Sequence, residues 1–561
     1  MISTGSYVSL SGSVLPRSKD LRRLAPRSSE ERQQVILLLR PAPTDDRVFA
    51  VARDRNAAAP LQRDYASPGA FHPGPEATRC IEEFARGYEL RLTWPGGTGG
   101  LIALLEGMVS AMNSAFRVEL HDYFTRVGEF RGYEGAVSLP VPVARYVRGV
   151  FGLSNHTGIF EENPEDVTRP PPVAEEGPAP RPAQAVASLT ELYGFPEESS
   201  GLGQSIAVVA QTGQVAGRDL SAYLEAVGVA APDLRMDVRA PAGLTGHQGD
   251  PDALRALQVM ATLAPRADYR LYGLDRAPTD DWFAGFLFTV ARALFDESRN
   301  DIVLILPGLP EYFWGRDVSR ALSLLLAIGA AMGVSVVAPS GDFGAAGFEP
   351  GRSERGANVR FPASSPYCLA CGGTMPWFER AGDLAYETVW NDMRRVEKPR
   401  ATGGGYSALF GAPDYQRRAR VGEAELRGGR GVPDVAAVAA PDGGLRLYRN
   451  GRWREREGGT VLAAAVWSAL TARLNEALGA RVGWLHPWLY RIRMEAGRPL
   501  TRPVRHRPGT DVWPEPHVNC NGPLSRRFSA AFCVEPDSIW NACCGLGSPD
   551  GVALLQALRE S

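Results

Sequence analysis

Lysine is nearly missing from this sequence: Lys19 and Lys398 stand alone among 61 basic residues, and arginine supplies the rest. Neither sign of charge dominates, with 63 acidic residues against 61 basic ones, and no basic block forms. That balance argues against nucleic acid or an anionic membrane as the principal partner. Abundant alanine beside the arginine excess reads as a GC-rich coding bias as much as a functional signal. Long apolar runs are also missing. Ala321 to Ala331 is among the longest, well short of the ~20 residues needed to span a bilayer. Met1 to Asp20 is polar and has no apolar stretch before a small-residue cleavage site, so no secretory signal is visible. The expectation is a soluble protein of open compartment, the cytoplasm slightly favoured.

Histidines are few, which limits metal chemistry. Cys368 and Cys371 form a C-x-x-C pair, but a zinc site needs four converging ligands and no histidines lie nearby. Two strand side chains filling small apolar slots is the plainer reading. Cys80 is isolated, while Cys520, Cys533, Cys543 and Cys544 crowd the C-terminus. With seven cysteines in all, at least one thiol of a monomer stays free. The C-terminal group could close one or two disulfides in an oxidising compartment.

A length of 561 residues is enough for several domains at ~100–200 residues each, and composition separates three regions. Residues 1–155 mix strand patterns with helical ones. Val35 to Leu39 reads as a buried strand, and Ala77 to Tyr88 and Thr98 to Met112 as helices, giving a small α+β unit. Residues 156–188 turn to Pro, Glu and Ala, as in Arg169-Pro-Pro-Pro172, and read as an extended linker, either a spacer or a processing site. From 189 to 561 strands alternate with helices: Ser205 to Ala210, then Gly217 to Val227, Asp252 to Leu263, Ala267 to Leu274, and onward to Val334 to Ala338. That rhythm predicts an α/β fold, a parallel sheet with helices on both faces and its site at the carboxyl ends of the strands.

Several runs then carry a specific resemblance. Phe361-Pro-Ala-Ser-Ser-Pro-Tyr367 with Gly372-Gly-Thr374, Thr402-Gly-Gly-Gly-Tyr-Ser407, Gly431-Val-Pro-Asp-Val435 and Gly545-Leu-Gly-Ser-Pro549 follow one another in the chain. They resemble the sedolisin (serine-carboxyl peptidase) family, its kumamolisin branch most closely. Asn113-Ser-Ala-Phe116, Tyr133-Glu-Gly135 and Val150-Phe-Gly-Leu153 are similar to that family's prodomain. The resemblance implies a ferredoxin-like prodomain over 1–155, a linker cut in maturation over 156–188, and a subtilisin-like peptidase domain over 189–561.

It also implies positions for the chemistry: a serine activated by a glutamate, an aspartate supporting that glutamate, and a second aspartate at the oxyanion hole. A nucleophile must lie within hydrogen-bond reach of a base that a third group orients. Where the family has Gly-Thr-Ser-Ala, this chain reads Gly459-Thr-Val461-Leu, and valine cannot attack a carbonyl. The family's Glu-x-x-x-Asp pair falls on Asp252 and Ala256, counted back from Leu263-Ala-Pro265. Taken alone, Asp252 is also an ordinary first-turn helix residue favoured by the dipole. The oxyanion position is kept as Asp342 in Ser340-Gly-Asp342, where an aspartate could equally satisfy local backbone N–H groups. The substrate-binding strand, Ser-x-Gly in the family, reads Leu306-Pro307-Gly308 here, and proline has no N–H to offer a peptide.

Family members bind calcium near the C-terminus. The resemblance places that site at Asp511, Val512, Asp537, Ile539 and Asn541, with one carboxylate replaced by an amide, so affinity should fall. A metal-free loop is the alternative. The expectation that gathers these changes is a pseudoprotease: a peptide- or protein-binding or regulatory protein without the serine nucleophile. Two alternatives stay open. One is an enzyme repurposed for non-proteolytic chemistry on a small molecule, drawing on Asp252, Asp342, His247, Cys368 or Cys371. The other is a residual acid endopeptidase.

Overall fold

The computed structural model describes residues 6–11, 13, 21–42, 44–95, 100–125, 128–155, 185–236, 249–274, 281–295, 299–314, 316–347, 358–378, 384–392, 400–422, 428–495, 501–502 and 539–561. The linker region 156–188 lies outside them apart from its last four residues, where the short helix Ser188–Leu192 begins.

Near the N-terminus, β1 (Arg32–Leu39) is flanked on both sides, by β3 (Ile102–Met108) and β4 (Val147–Phe151), and β2 (Arg91–Thr93) pairs with β3 at the edge. Helices α1 (Asp45–Ala57) and α2 (Pro75–Gly87) join β1 to β2, and Val109–Phe116 follows β3. The spatial order 4-1-3-2 of these antiparallel strands is the ferredoxin-like arrangement. A continuous apolar run in β1 is what a central strand buried on both faces requires. Val35, Leu37 and Leu39 pack on Ile81, Phe84 and Met112 of their own unit, whereas Ile36 and Leu38 join a second core. One expectation fails: among the described residues of Thr98 to Met112, only those from Val109 are helical. Leu101 to Leu105 mimics helical spacing, but strands on both sides claim it as β3.

The larger sheet contains β5 (Ser205–Ala210), β6 (Leu234–Met236), β7 (Asp268–Gly273), β8 (Ile302–Ile305), β9 (Ser335–Pro339), β10 (Leu369–Phe378), β11 (Leu384–Val389) and β12 (Val435–Val438). Its order is β6-β7-β5-β8-β9-β10-β11, with β12 also on β10; every pairing is parallel except β10–β11. Ile206, Val208 and Ala210 of β5 face α3 (Pro251–Leu263) and α6 (Thr460–Leu478). Ala207 and Val209 face α4 (Trp282–Phe295) and α5 (Arg316–Ala331). Period-two alternation thus gives the sheet its two helical layers. Helix α6 is buried on every side from Thr460 to Asn475, which explains an apolar sequence without a polar stripe.

Ile36, Leu38, Val48 and Phe71 of the N-terminal unit share one core cluster with Leu287, Leu322 and Ile328 of α4 and α5. Hydrogen bonds from Asn56 Nδ2 and the Ala66 amide reach the carbonyls of Ala330 and Ala331, at 3.1 and 2.9 Å. The Tyr65 hydroxyl donates to the Arg481 carbonyl at 3.0 Å.

Candidate active site

The segments implied as catalytic meet at the carboxyl ends of β5, β8 and β9. Beyond β9, Ser340 Oγ donates to the Gly403 carbonyl at 2.7 Å, and the Gly403 amide returns a bond to Gly341. A Cβ at Gly403 would collide with the Ser340 carbonyl, which is why the Thr-Gly-Gly-Gly run is glycine there.

That loop aims Asp342 at the start of α6. Its Oδ1 accepts from both the amide and the hydroxyl of Thr460, each at 2.8 Å. The same hydroxyl accepts from the Gly341 amide at 3.1 Å. Gly459, at φ +110°, leads into the helix and brings no side-chain cap of its own. Asp342 therefore caps α6 through space, satisfying one of its unpaired N–H groups and complementing its dipole. Val461 follows inside the first turn, only 5% exposed and part of the core beneath the sheet.

Helix α3 begins at a cap of its own. Asp250 Oδ1 accepts from the amides of Asp252 and Ala253, its Oδ2 from Gln211, and Pro251 occupies the first helical position. Asp252, with a side chain 53% exposed, pairs with Arg255 one turn along. Ala256 is fully buried. Arg255 connects these parts, its side chain only 13% exposed. It also donates to the Gly458 carbonyl at 2.6 Å and to Glu457 Oε2 at 3.3 Å. Arg449 meets the other oxygen of Glu457 at 3.1 Å. Burial alone would lower the Arg255 pKa; Asp252, Glu457 and Asp342 outweigh it and raise it. A guanidinium thus occupies the ground between α3 and the glycine turn leading to Val461.

Pro307 and Gly308 continue past β8. Leu309–Pro310 pairs with Arg360–Phe361, and Arg360 donates to the Gly308 carbonyl. Burial lowers the Arg360 pKa, with Asp342 and Asp252 opposing. Arg400 Nη1 stands 3.7 Å from Asp342 Oδ2, its guanidinium over the Phe343 ring. The structure therefore brings Asp252, Ala256, Asp342, Val461, Pro307 and Gly308 into one region; His247 lies outside the described residues. Sequence reasoning missed Arg255, Arg360 and Arg400. Only the first left a signal, its i, i+3 spacing from Asp252.

For calcium, Asp511, Val512 and Asp537 lie outside the described residues. Of the remainder, Ile539 offers only a backbone carbonyl, and Asn541 Oδ1 already accepts from the amides of Cys543 and Cys544 at 3.1 and 2.8 Å. This part of the set supplies no carboxylate and does not by itself fit the ion, so no step below runs through calcium. Among the described residues, no three His, Cys, Asp or Glu side chains gather as a metal site. Cys368, Cys371 and Cys544 are buried free thiols, Cys543 is buried next to Cys544 in sequence, and Cys80 is free and half-buried. Burial raises the pKa of Cys368 and Cys371, which suits packing better than nucleophilic chemistry. No described helix is long and apolar enough to cross a membrane.

Comparison with known proteins bears on the family and the fold. No family model matches the chain. Kumamolisin from Bacillus sp. (strain MN-32) is 33% identical over 562 residues, 96% of this chain and 93% of its own. Tripeptidyl-peptidase sed5 of Aspergillus fumigatus is 26% identical over 76% of this chain and 73% of its own. Among solved structures, Pseudomonas sedolisin, a serine-carboxyl proteinase complexed with two molecules of pseudo-iodotyrostatin, superposes with a TM-score of 0.58 at 23% identity. It covers 68% of this chain and all of its own, and it shows the shared subtilisin-like fold.

Proposed function

This chain belongs to the sedolisin family of serine-carboxyl peptidases, and from that premise we propose that it is a pseudoprotease, a peptide- or protein-binding member that does not hydrolyse peptide bonds. The observation that carries the reading is Val461, packed into the core at the position where the family motif has its serine. Three further features support it. Ala256 leaves Asp252 without a supporting acid, and Asp252 is committed to Arg255. Arg255 donates to Gly458, beside the turn into α6. Asp342, an oxyanion donor only when protonated, instead accepts two hydrogen bonds as the cap of α6.

A residual acid endopeptidase would need Thr460 as its nucleophile. That hydroxyl is bonded to Asp342 and Gly341, and the residue is 1% exposed, out of reach of a substrate carbonyl. Loss of a triad nucleophile costs roughly a million-fold in turnover, and changes at coupled positions then add little. On this reading the N-terminal unit stays attached, because cleavage at 156–188 would require another protease. The test is incubation of the purified full chain from about pH 3 to about pH 7, followed by gel electrophoresis and a peptide-hydrolysis assay. The chain should remain intact and inactive. Acid-triggered loss of the N-terminal unit, abolished by Asp342→Ala, would overturn the proposal.

A further inference from the structure

Among the described residues, Arg360 has one partner, the Gly308 carbonyl, for a guanidinium with five N–H donors. Its stem crosses Gly341, where a Cβ would collide with Arg360 Cδ, so the glycine at φ +106° leaves room for the side chain beside Asp342. Asp342 and Asp252 act on it only through space, and neither accepts a hydrogen bond from it. Asp342 is held by Thr460 with Arg400 beside it, and Asp252 by Arg255. Around this spot Arg255, Arg360, Arg400 and Arg449 face Asp252, Asp342 and Glu457. Arg255, Arg400 and Arg449 each have an ion pair with one of these carboxylates, and Arg360 has none among the described residues.

The strand beside it is also changed as a peptide-pairing edge. Pro307 lacks the N–H, and Arg360 occupies the Gly308 carbonyl. Backbone pairing, the usual source of affinity when an extended peptide adds to a strand, is curtailed at both residues. Affinity must come from elsewhere, and a guanidinium with open donors is built for a carboxylate.

We propose that Arg360 binds the carboxylate of a peptide ligand, either a free C-terminus or an Asp or Glu side chain. This deepens the peptide-binding reading above and rests on it. Three pools of short, random, N-acetylated fluorescent peptides test it against the full chain at neutral pH, by anisotropy. One pool has no acidic residues and a free C-terminus, one has neither acidic residues nor a free C-terminus, and one is amidated with a single central glutamate. At least one carboxylate-bearing pool should bind about tenfold or more tighter than the neutral pool, and which one does identifies the source. Arg360→Leu should abolish the preference. Arg360→Lys, which keeps the stem and charge but loses the fork, should weaken it several-fold at an unchanged thermal midpoint. Equal binding of all three pools, or a preference that survives Arg360→Leu, overturns the carboxylate site and leaves peptide binding standing. Binding of no pool overturns both.

Discussion

Returning a serine to position 461 tests the packing and the chemistry in one protein. Val461 lies in the first turn of α6 and is 5% exposed within the main core. Burying a valine side chain is worth about 1.5–3 kcal/mol, and most of that is lost when its two methyls become one hydroxyl. The new hydroxyl adds a desolvation cost unless it finds a partner. Val461→Ser should therefore lose about 2–3 kcal/mol. For an m-value near ~3 kcal/mol/M, that moves the urea midpoint down by up to about 1 M. Trp467, fully buried on the same helix, is a fluorescence reporter close to the change. The same variant should gain no acid hydrolysis, since Ala256 supplies no acid and Arg255 still bonds Gly458. An unchanged midpoint would show that Val461 is not packed as described. Acid-dependent cleavage of a peptide by Val461→Ser would show that the rest of the machinery survives.

Three other outcomes follow from the geometry. Asp342→Ala should cost about 2–3 kcal/mol, because the Thr460 amide loses its cap in a buried setting, and Asp342→Asn, which keeps an acceptor, about half as much; urea titrations of both check this. Arg255→Met keeps much of the apolar stem yet leaves Glu457 with Arg449 alone, so a loss of about 2–4 kcal/mol is expected by the same measurement. His486 has its pKa lowered to about 4, chiefly by burial. A group depressed in this way stays neutral in the fold while the unfolded chain takes up the proton. Stability present above pH ~6.5 is then lost as pH falls toward about 4, on the order of 3 kcal/mol. Burial raises Glu311 and Glu387, whose contributions run the other way and fade as pH rises. His486→Gln should flatten the decline in urea midpoint between about pH 7 and pH 4.5.

Most of the large sheet was legible because its strands are short apolar runs bounded by turn residues and separated by helical spacing. Ser205 to Ala210 and Ile302 to Leu306 needed nothing more. Ile102–Met108 misled because an apolar run of that length satisfies a helical template as well as a strand, and only pairing partners decide. Motif order brought Asp252, Asp342 and Val461 to one place. Arg360 and Arg400 had no such signal: they are two arginines among many, and their meeting with Asp342 depends on long-range contacts such as the bond from the Ala401 amide to the Asp342 carbonyl. Asp342 was readable as an acid worth noting. Its role as the cap of a helix more than a hundred residues away was not, because that helix begins with glycine and carries no cap of its own.

The core shared by Ile36, Leu38 and Phe71 with Leu322 and Ile328 has a consequence for any cut between residues 156 and 188. Severing that segment breaks a covalent connection and none of this layer. The Asn56 and Tyr65 hydrogen bonds would also remain. The two fragments should co-migrate on a sizing column at micromolar concentration and separate in denaturant, a nicked heterodimer whose midpoint, unlike that of the uncut chain, falls on dilution. Release of the N-terminal unit would instead strip an apolar face from α4 and α5, and the remnant would be prone to aggregate.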